Sequence, residues 1–143
     1  MSLFTSLFSS KPLATPASTQ EVVTLVGNSK FEIEIAGTEL HQFTLEAICG
    51  PHQSRDVNRF ESAWLVLEDK NRQDKNAVRV EIRGKPVGYL SPQAAISYRR
   101  QLIRMGTPKA GGRCQAMIRG GWVSSDGRKG EYEVWLDLAF LCK

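Results

Sequence analysis

Two pairs of carboxylates, Glu32 with Glu34 and Glu131 with Glu133, are each separated by a single residue. On an extended chain this spacing puts both members of a pair on one face, the arrangement that general acid–base or metal-assisted chemistry would use. Each pair also alternates with apolar residues, as the solvent face of a half-exposed strand does. The histidines, His41 and His52, fall in neither an H-x-x-x-H nor an H-E-x-x-H arrangement, so metal ligation has no local signature. Cys49, Cys114 and Cys142 are widely spaced, which argues against a zinc site or a disulfide framework, and Cys114 and Cys142, within apolar-alternating segments, read as reduced, buried thiols. Gly111 with Gly112 and Gly120 with Gly121 form adjacent pairs rather than a phosphate-binding loop, and no serine sits in G-x-S-x-G. The chain therefore reads as a non-catalytic protein that needs neither metal nor cofactor.

A second kind of chemistry lies in the segment NRQDKNAVRVEIRGKPVGYL, residues 71–90. Asp74 and Asn76 can bond nearby backbone amides and fix a turn. Arg72 and Lys75 can then project into solvent or toward phosphates. Net charge is +4, and it is unevenly spread: between residues 71 and 104 eight basic residues, Arg99 among them, stand against Asp74 and Glu81 alone. Residues 21–70 carry an acidic excess. A basic middle of this kind is an electrostatic footprint for a polyanion, or else a solvated charged surface.

The elements that must carry these residues follow from periodicity. Residues 1–20 are rich in Ser, Thr, Pro and Ala, and are expected to form a flexible tail. They lack a basic stretch ahead of a long apolar run, so no secretory signal is expected, and no run is long enough to span a membrane; the location expected is cytoplasmic. The ordered domain is expected over 21–143, beginning with VVTLV. FEIEIAG alternates and predicts a half-buried strand, and FTLEAI continues that alternation. Residues 51–60 read as a loop. SAWLVLE and AVRVEIR predict strands, with a tight reversal at Gly84 and Lys85 leading into PVGYL, where Pro86 marks an edge. Ser91 and Pro92 start a helix whose face includes Ala95, Tyr98, Leu102 and Met105, ended by Gly106 and Pro108. RCQAMIRGG and GEYEVWLDLAF form a last hairpin around Asp126 and Gly127. The pattern predicts a mainly β chain: a small OB-like β-barrel of about six or seven strands with one or two α-helices.

The order N-x-x-D-K-N-A-V-x-V, a glycine turn, V-G-Y-L and an Ala- and Arg-containing helix resembles the HIRAN domain family, in particular its bacterial stand-alone members. The elements concerned are Asn71, Asp74, Lys75, Asn76, Ala77, Val78, Val80, Gly84, Val87, Gly88, Tyr89, Leu90, Ala94 and Ala95. Gly120, Gly121 and Trp122 with residues 134–138 extend the resemblance, which spans about residues 22–140. It implies an OB-like barrel that recognises single-stranded DNA or a free DNA 3′ end, in DNA repair, replication or restart. In that mode an aromatic stacks on a base, an acidic group accepts from the terminal hydroxyl and basic groups hold phosphate.

Carried onto this chain, the resemblance makes Asp74 the acceptor for a terminal hydroxyl. The nucleic-acid-binding residues it implies are Lys30, Phe31, Arg72, Asp74, Lys75, Asn76, Tyr89 and Arg99, with Phe31 equally readable as core. Gln73 stands where end-binding members often carry an aromatic, and Ser91 with Pro92 replaces a basic residue. A protein-interaction module using a strand edge or an aromatic patch around Trp122 or Trp135 is the alternative reading.

Overall fold

Alternation of apolar and polar residues is what drives most of this chain into strands, and the apolar parity then decides which face closes on the core. A computed structural model describes residues 21–138; the expected tail over 1–20 and Cys142 lie outside the described residues. The order is β1 (Val22–Thr24), β2 (Ile33–Glu34), a short 3₁₀ turn (Thr38–Leu40), α1 (Gln42–Cys49), β3 (Arg59–Leu67), β4 (Val78–Ile82), β5 (Lys85–Tyr89), α2 (Pro92–Arg104), β6 (Gly111–Gly120) and β7 (Tyr132–Leu136). The strands form one sheet in the order β2-β7-β6-β3-β4-β5, and β1 runs parallel to the first residues of β6.

The two ends of this sheet meet. Just beyond β2, the Ala36 amide donates to the Tyr89 carbonyl at 2.7 Å, and the Tyr89 amide donates back to the Ala36 carbonyl at 2.9 Å. This single antiparallel bridge curls the sheet into a small OB-like barrel, as the mainly β reading predicts. Gly88 permits it. A Cβ there would stand 2.5 Å from the Ala36 carbonyl oxygen and 2.9 Å from Ile35 Cδ1.

Inside, Ala63 and Leu65 of β3, Val78, Val80 and Ile82 of β4, Val87 of β5, Ala116 and Ile118 of β6, and Val134 and Leu136 of β7 are all fully buried. Helix α2 adds Ala95, Tyr98 and Leu102 to the same cluster. Its start follows the sequence signal: the Ala94 amide donates to Ser91 Oγ at 3.2 Å, with Pro92 in the first turn. Met105, expected on the buried face, is exposed at the helix end.

Three further expectations need correction. FTLEAI is helical, not extended. Leu45 and Ile48 are its buried residues while Phe43 and Ala47 face outward, so the contact with the core follows the three-residue helical spacing. The Gln42 side chain anchors this helix to β7 by accepting from the Tyr132 amide at 2.8 Å and donating to the Tyr132 carbonyl at 2.9 Å. FEIEIAG contributes the two-residue ladder of β2 and the Ala36 bridge rather than one continuous strand, because Ser29 and Phe31 take left-handed φ values of 68° and 51° and turn the chain before it. The reversal after β4 centres on Arg83 and Gly84, with φ values of 55° and 76°. Ile82 pairs with Lys85 across it, so Lys85 already belongs to β5 in a two-residue turn of the mirror-image type.

The closure bridge yields a direct test. Gly88→Ala drives a methyl group into the Ala36 carbonyl, so the urea midpoint should fall by the equivalent of about 1–3 kcal/mol. An unchanged midpoint would show that the barrel does not depend on this close approach.

Candidate nucleic-acid interface

The turn after β3 is organised by Asn71. Its Oδ1 accepts from the Gln73 amide at 2.9 Å and the Asp74 amide at 3.0 Å. Asp74 continues the motif, with Oδ1 accepting from the Asn76 amide at 2.9 Å and its carbonyl from the Ala77 amide at 3.0 Å. These are side-chain-capped turns of the kind Asn and Asp favour. One Asp74 oxygen is thus engaged, and Oδ2 accepts no hydrogen bond among the described residues.

Asp74 and Tyr89 line one cleft of about 320 Å³, together with Ala36, Gly37, Asn71, Gln73 and Leu90. The barrel closure forms the wall of this cleft, since Ala36 and Tyr89 are the bridged pair. Tyr89 is half-buried and its hydroxyl donates to Glu68 Oε1 at 2.9 Å. Burial, and then the Glu68 carboxylate, push the Tyr89 hydroxyl above its ordinary pKa. Asn71 Nδ2 donates to the same Glu68 oxygen at 3.0 Å, and Arg79 pairs with the other oxygen. Burial alone would raise the Glu68 pKa, but the bonds from Asn71, Arg79 and Tyr89 outweigh it and hold the carboxyl below its ordinary range.

The remaining expected residues divide. Arg72 and Lys75 are exposed on the same turn, with no ion pair among the described residues. Asn76 is exposed and uses its carbonyl to accept from Arg99 Nε at 2.8 Å. Arg99 does not line the cleft. Its guanidinium also donates to the Ala77 carbonyl at 3.0 Å and to Asp69 at 2.7 Å, so it braces α2 against the turn. Lys30 and Phe31 lie elsewhere: Lys30 is exposed, and Phe31, 9% exposed, packs on Phe60 with ring centroids 5.4 Å apart.

Sequence reasoning missed Glu68, whose only signal is its place in the outward parity of β3 after Trp64 and Val66. It also missed Ala36 and Gly37, which become a wall only through the bridge. The carboxylate pairs meet in part: burial and then Glu133 raise the Glu34 pKa, with Arg119 opposing them. Among the described residues no three His, Cys, Asp or Glu side chains are grouped as metal ligands, and no helix is long and apolar enough to cross a membrane. No family model matches this chain, and no curated protein or solved structure matches it either.

Because the folded Glu68 carboxyl titrates below the unfolded one, its stabilising contribution is complete above the unfolded carboxyl's range and is lost as pH falls through the folded value. Glu68→Gln should therefore make stability less steeply dependent on pH than in the parent protein as pH falls below the ordinary carboxyl range. Equal slopes for the two proteins would remove Glu68 from this role.

Proposed function

We propose that this chain is a HIRAN-like, non-catalytic module that binds single-stranded DNA, including free 3′ ends, and that it serves DNA repair, replication or restart in the cytoplasm. The observation that carries the reading is that Asp74, with one carboxylate oxygen unengaged by described residues, and Tyr89 line a single cleft whose outer turn bears Arg72 and Lys75. The carboxylate suits a hydroxyl donor, and a charge-assisted bond of this kind is worth about 1.5–3 kcal/mol. The tyrosine adds a half-buried side chain whose hydroxyl is held by Glu68. The two cations suit phosphates at the mouth. Gln73, also lining the cleft, supplies an amide where a stacking ring would otherwise stand, so hydrogen bonding rather than stacking dominates this pocket.

A protein-binding reading has its own observation. Leu40 and Phe43, before and within α1, are 80% and 88% exposed, which is a large apolar exposure for two neighbouring side chains. Stoichiometric capture of one protein partner, lost on Phe43→Ser and insensitive to Asp74→Ala, would favour this reading over DNA.

The DNA reading is tested by titrating oligonucleotides at several salt concentrations. Affinity should fall with salt, and replacing both Arg72 and Lys75 by Gln should flatten the logarithmic slope by about 1.4, from roughly 0.7 per phosphate contact. Asp74→Ala should reduce the preference for a 3′-hydroxyl over a 3′-phosphate end by about tenfold or more. Absence of binding to any oligonucleotide at low salt would end the proposal, and an unaltered end preference would remove Asp74 from it.

A further inference from the structure

The outer face of β3 and β6 carries a second arrangement that the Asp74 cleft does not use. Along β3 the inward parity is Ala63 and Leu65, both fully buried, so Phe60, Ser62 and Trp64 face outward. In register opposite them on β6 stand Met117, Gln115 and Arg113. Phe60 is 61% and Trp64 36% exposed. The Arg113 guanidinium sits 5.7 Å from the Trp64 ring centroid, so a flat cation and a flat ring share one end of the row. Between the rings stand the polar pair Ser62 and Gln115, which with Arg113 and the exposed Val26 help line a cleft of about 470 Å³.

The charges on this face are unevenly committed. Glu81 pairs across the sheet with Trp64, but its carboxylate accepts from Arg79 Nε at 2.8 Å. Asp137, also on the cleft, is 7% exposed and accepts from the Ser29 amide at 2.9 Å. Arg113 is exposed and has no ion pair among the described residues, and Lys30 is exposed on the loop between β1 and β2. Of these groups, the exposed ones with no ion pair among the described residues are the two cations, Arg113 and Lys30.

From this we infer that the outer β3–β6 face is a second contact surface for single-stranded nucleic acid, with bases stacking on Trp64 and Phe60 and Arg113 holding a phosphate. A helix or a second protein surface would want contiguous apolar area, whereas here rings alternate with polar and cationic groups. A single strand supplies what the face lacks, π-faces and anions at intervals, and stacking accepts any base. The inference rests on the single-strand reading above and gives it a path. Tyr89 pairs with Arg79, which pairs with Val66, two residues along β3 from Trp64. Strand spacing then puts Trp64 roughly 12 Å from Tyr89, and Phe60 about 13 Å further on. A strand held at the cleft reaches Trp64 and Phe60 only when it is several nucleotides long.

The test uses the full chain with two probes bearing a free 3′ end, a dinucleotide and a dodecamer of single-stranded DNA. Trp64→Ala should weaken the dodecamer by about tenfold or more while leaving the dinucleotide unchanged, and Trp64→Phe should restore most of the loss. Arg113→Gln should flatten the dodecamer's salt slope by about 0.7. Dodecamer affinity and slope unchanged in both Trp64→Ala and Arg113→Gln would overturn the inference while leaving the Asp74 cleft intact. Loss of dodecamer binding in Trp64→Ala with no effect of Asp74→Ala on either probe would support the outer face and overturn the cleft reading instead. A parent protein that binds neither probe overturns both and leaves the face to a protein partner.

Discussion

Two hydrogen bonds between Ala36 and Tyr89 do more for this molecule than any other contact of their size. β5 ends the sheet at one side and the continuation of β2 ends it at the other, and without the bridge each would present an open edge. Joining them gives the inward side chains of six strands a common interior. It also brings residue 36, from the first quarter of the chain, beside the turn that follows β3. The candidate cleft exists because of that meeting. Gly88 is the local condition for it, since the Ala36 backbone occupies the space a Cβ would need. The V-G-Y-L run thus closes the barrel at its glycine and lines the cleft at its tyrosine.

The turn opposite that wall is rigid for a different reason. Asn71 and Asp74 satisfy successive backbone amides, and Arg99 reaches from α2 to the carbonyls of Asn76 and Ala77. This arginine is one of eight basic residues that make residues 71–104 look strongly cationic. Arg79 is committed to Glu68 and Glu81, Arg83 to Glu61, and Arg99 to Asp69. The field available to a polyanion is carried by fewer groups than the count indicates. Arg72 and Lys75 are well placed, whereas Arg99 acts by holding the turn that presents them. Charge counted along a sequence measures what is present, and ion pairing decides how much of it is offered to solvent.

The same distinction governs what was legible before the fold was known. Alternation is a local property, so β3, β4, β6 and β7 and the helix cap at Ser91 could be read directly. The helix over Gln42–Cys49 could not, because an eight-residue segment with Leu45 and Ile48 inward also contains apolar residues at every second position. Tertiary contact chose the period there: Gln42 pairs with both backbone groups of Tyr132, and the Tyr132 hydroxyl donates to the carbonyl of Gly50 at the helix end. For the site, Asp74 and Tyr89 were visible as a motif, but Glu68, which orients Tyr89 and Asn71 together, carries no motif of its own. Phe31 illustrates the converse. Its residue type fits a stacking role, but a left-handed backbone turns it against Phe60, and Phe60 becomes the exposed ring.

Glu68 also explains how the cleft and the outer sheet face are kept as one surface. It ends the outward parity of β3 that begins with Phe60 and Trp64, and it receives hydrogen bonds from Asn71, Arg79 and Tyr89. Three donors on one carboxylate draw the turn, β4 and β5 onto the end of β3. Arg79 in turn carries the link to Glu81, the cross-strand neighbour of Trp64. One arginine stands here against two carboxylates, so these three groups keep a net negative charge and offer no unpaired cation between the cleft and Trp64. A single strand crossing it would gain no phosphate contact from them. The positive groups lie at the ends of the path, Arg72 and Lys75 at the cleft and Arg113 beside Trp64. For the single strand proposed above, that distribution would favour anchoring at both ends over a grip along its whole length.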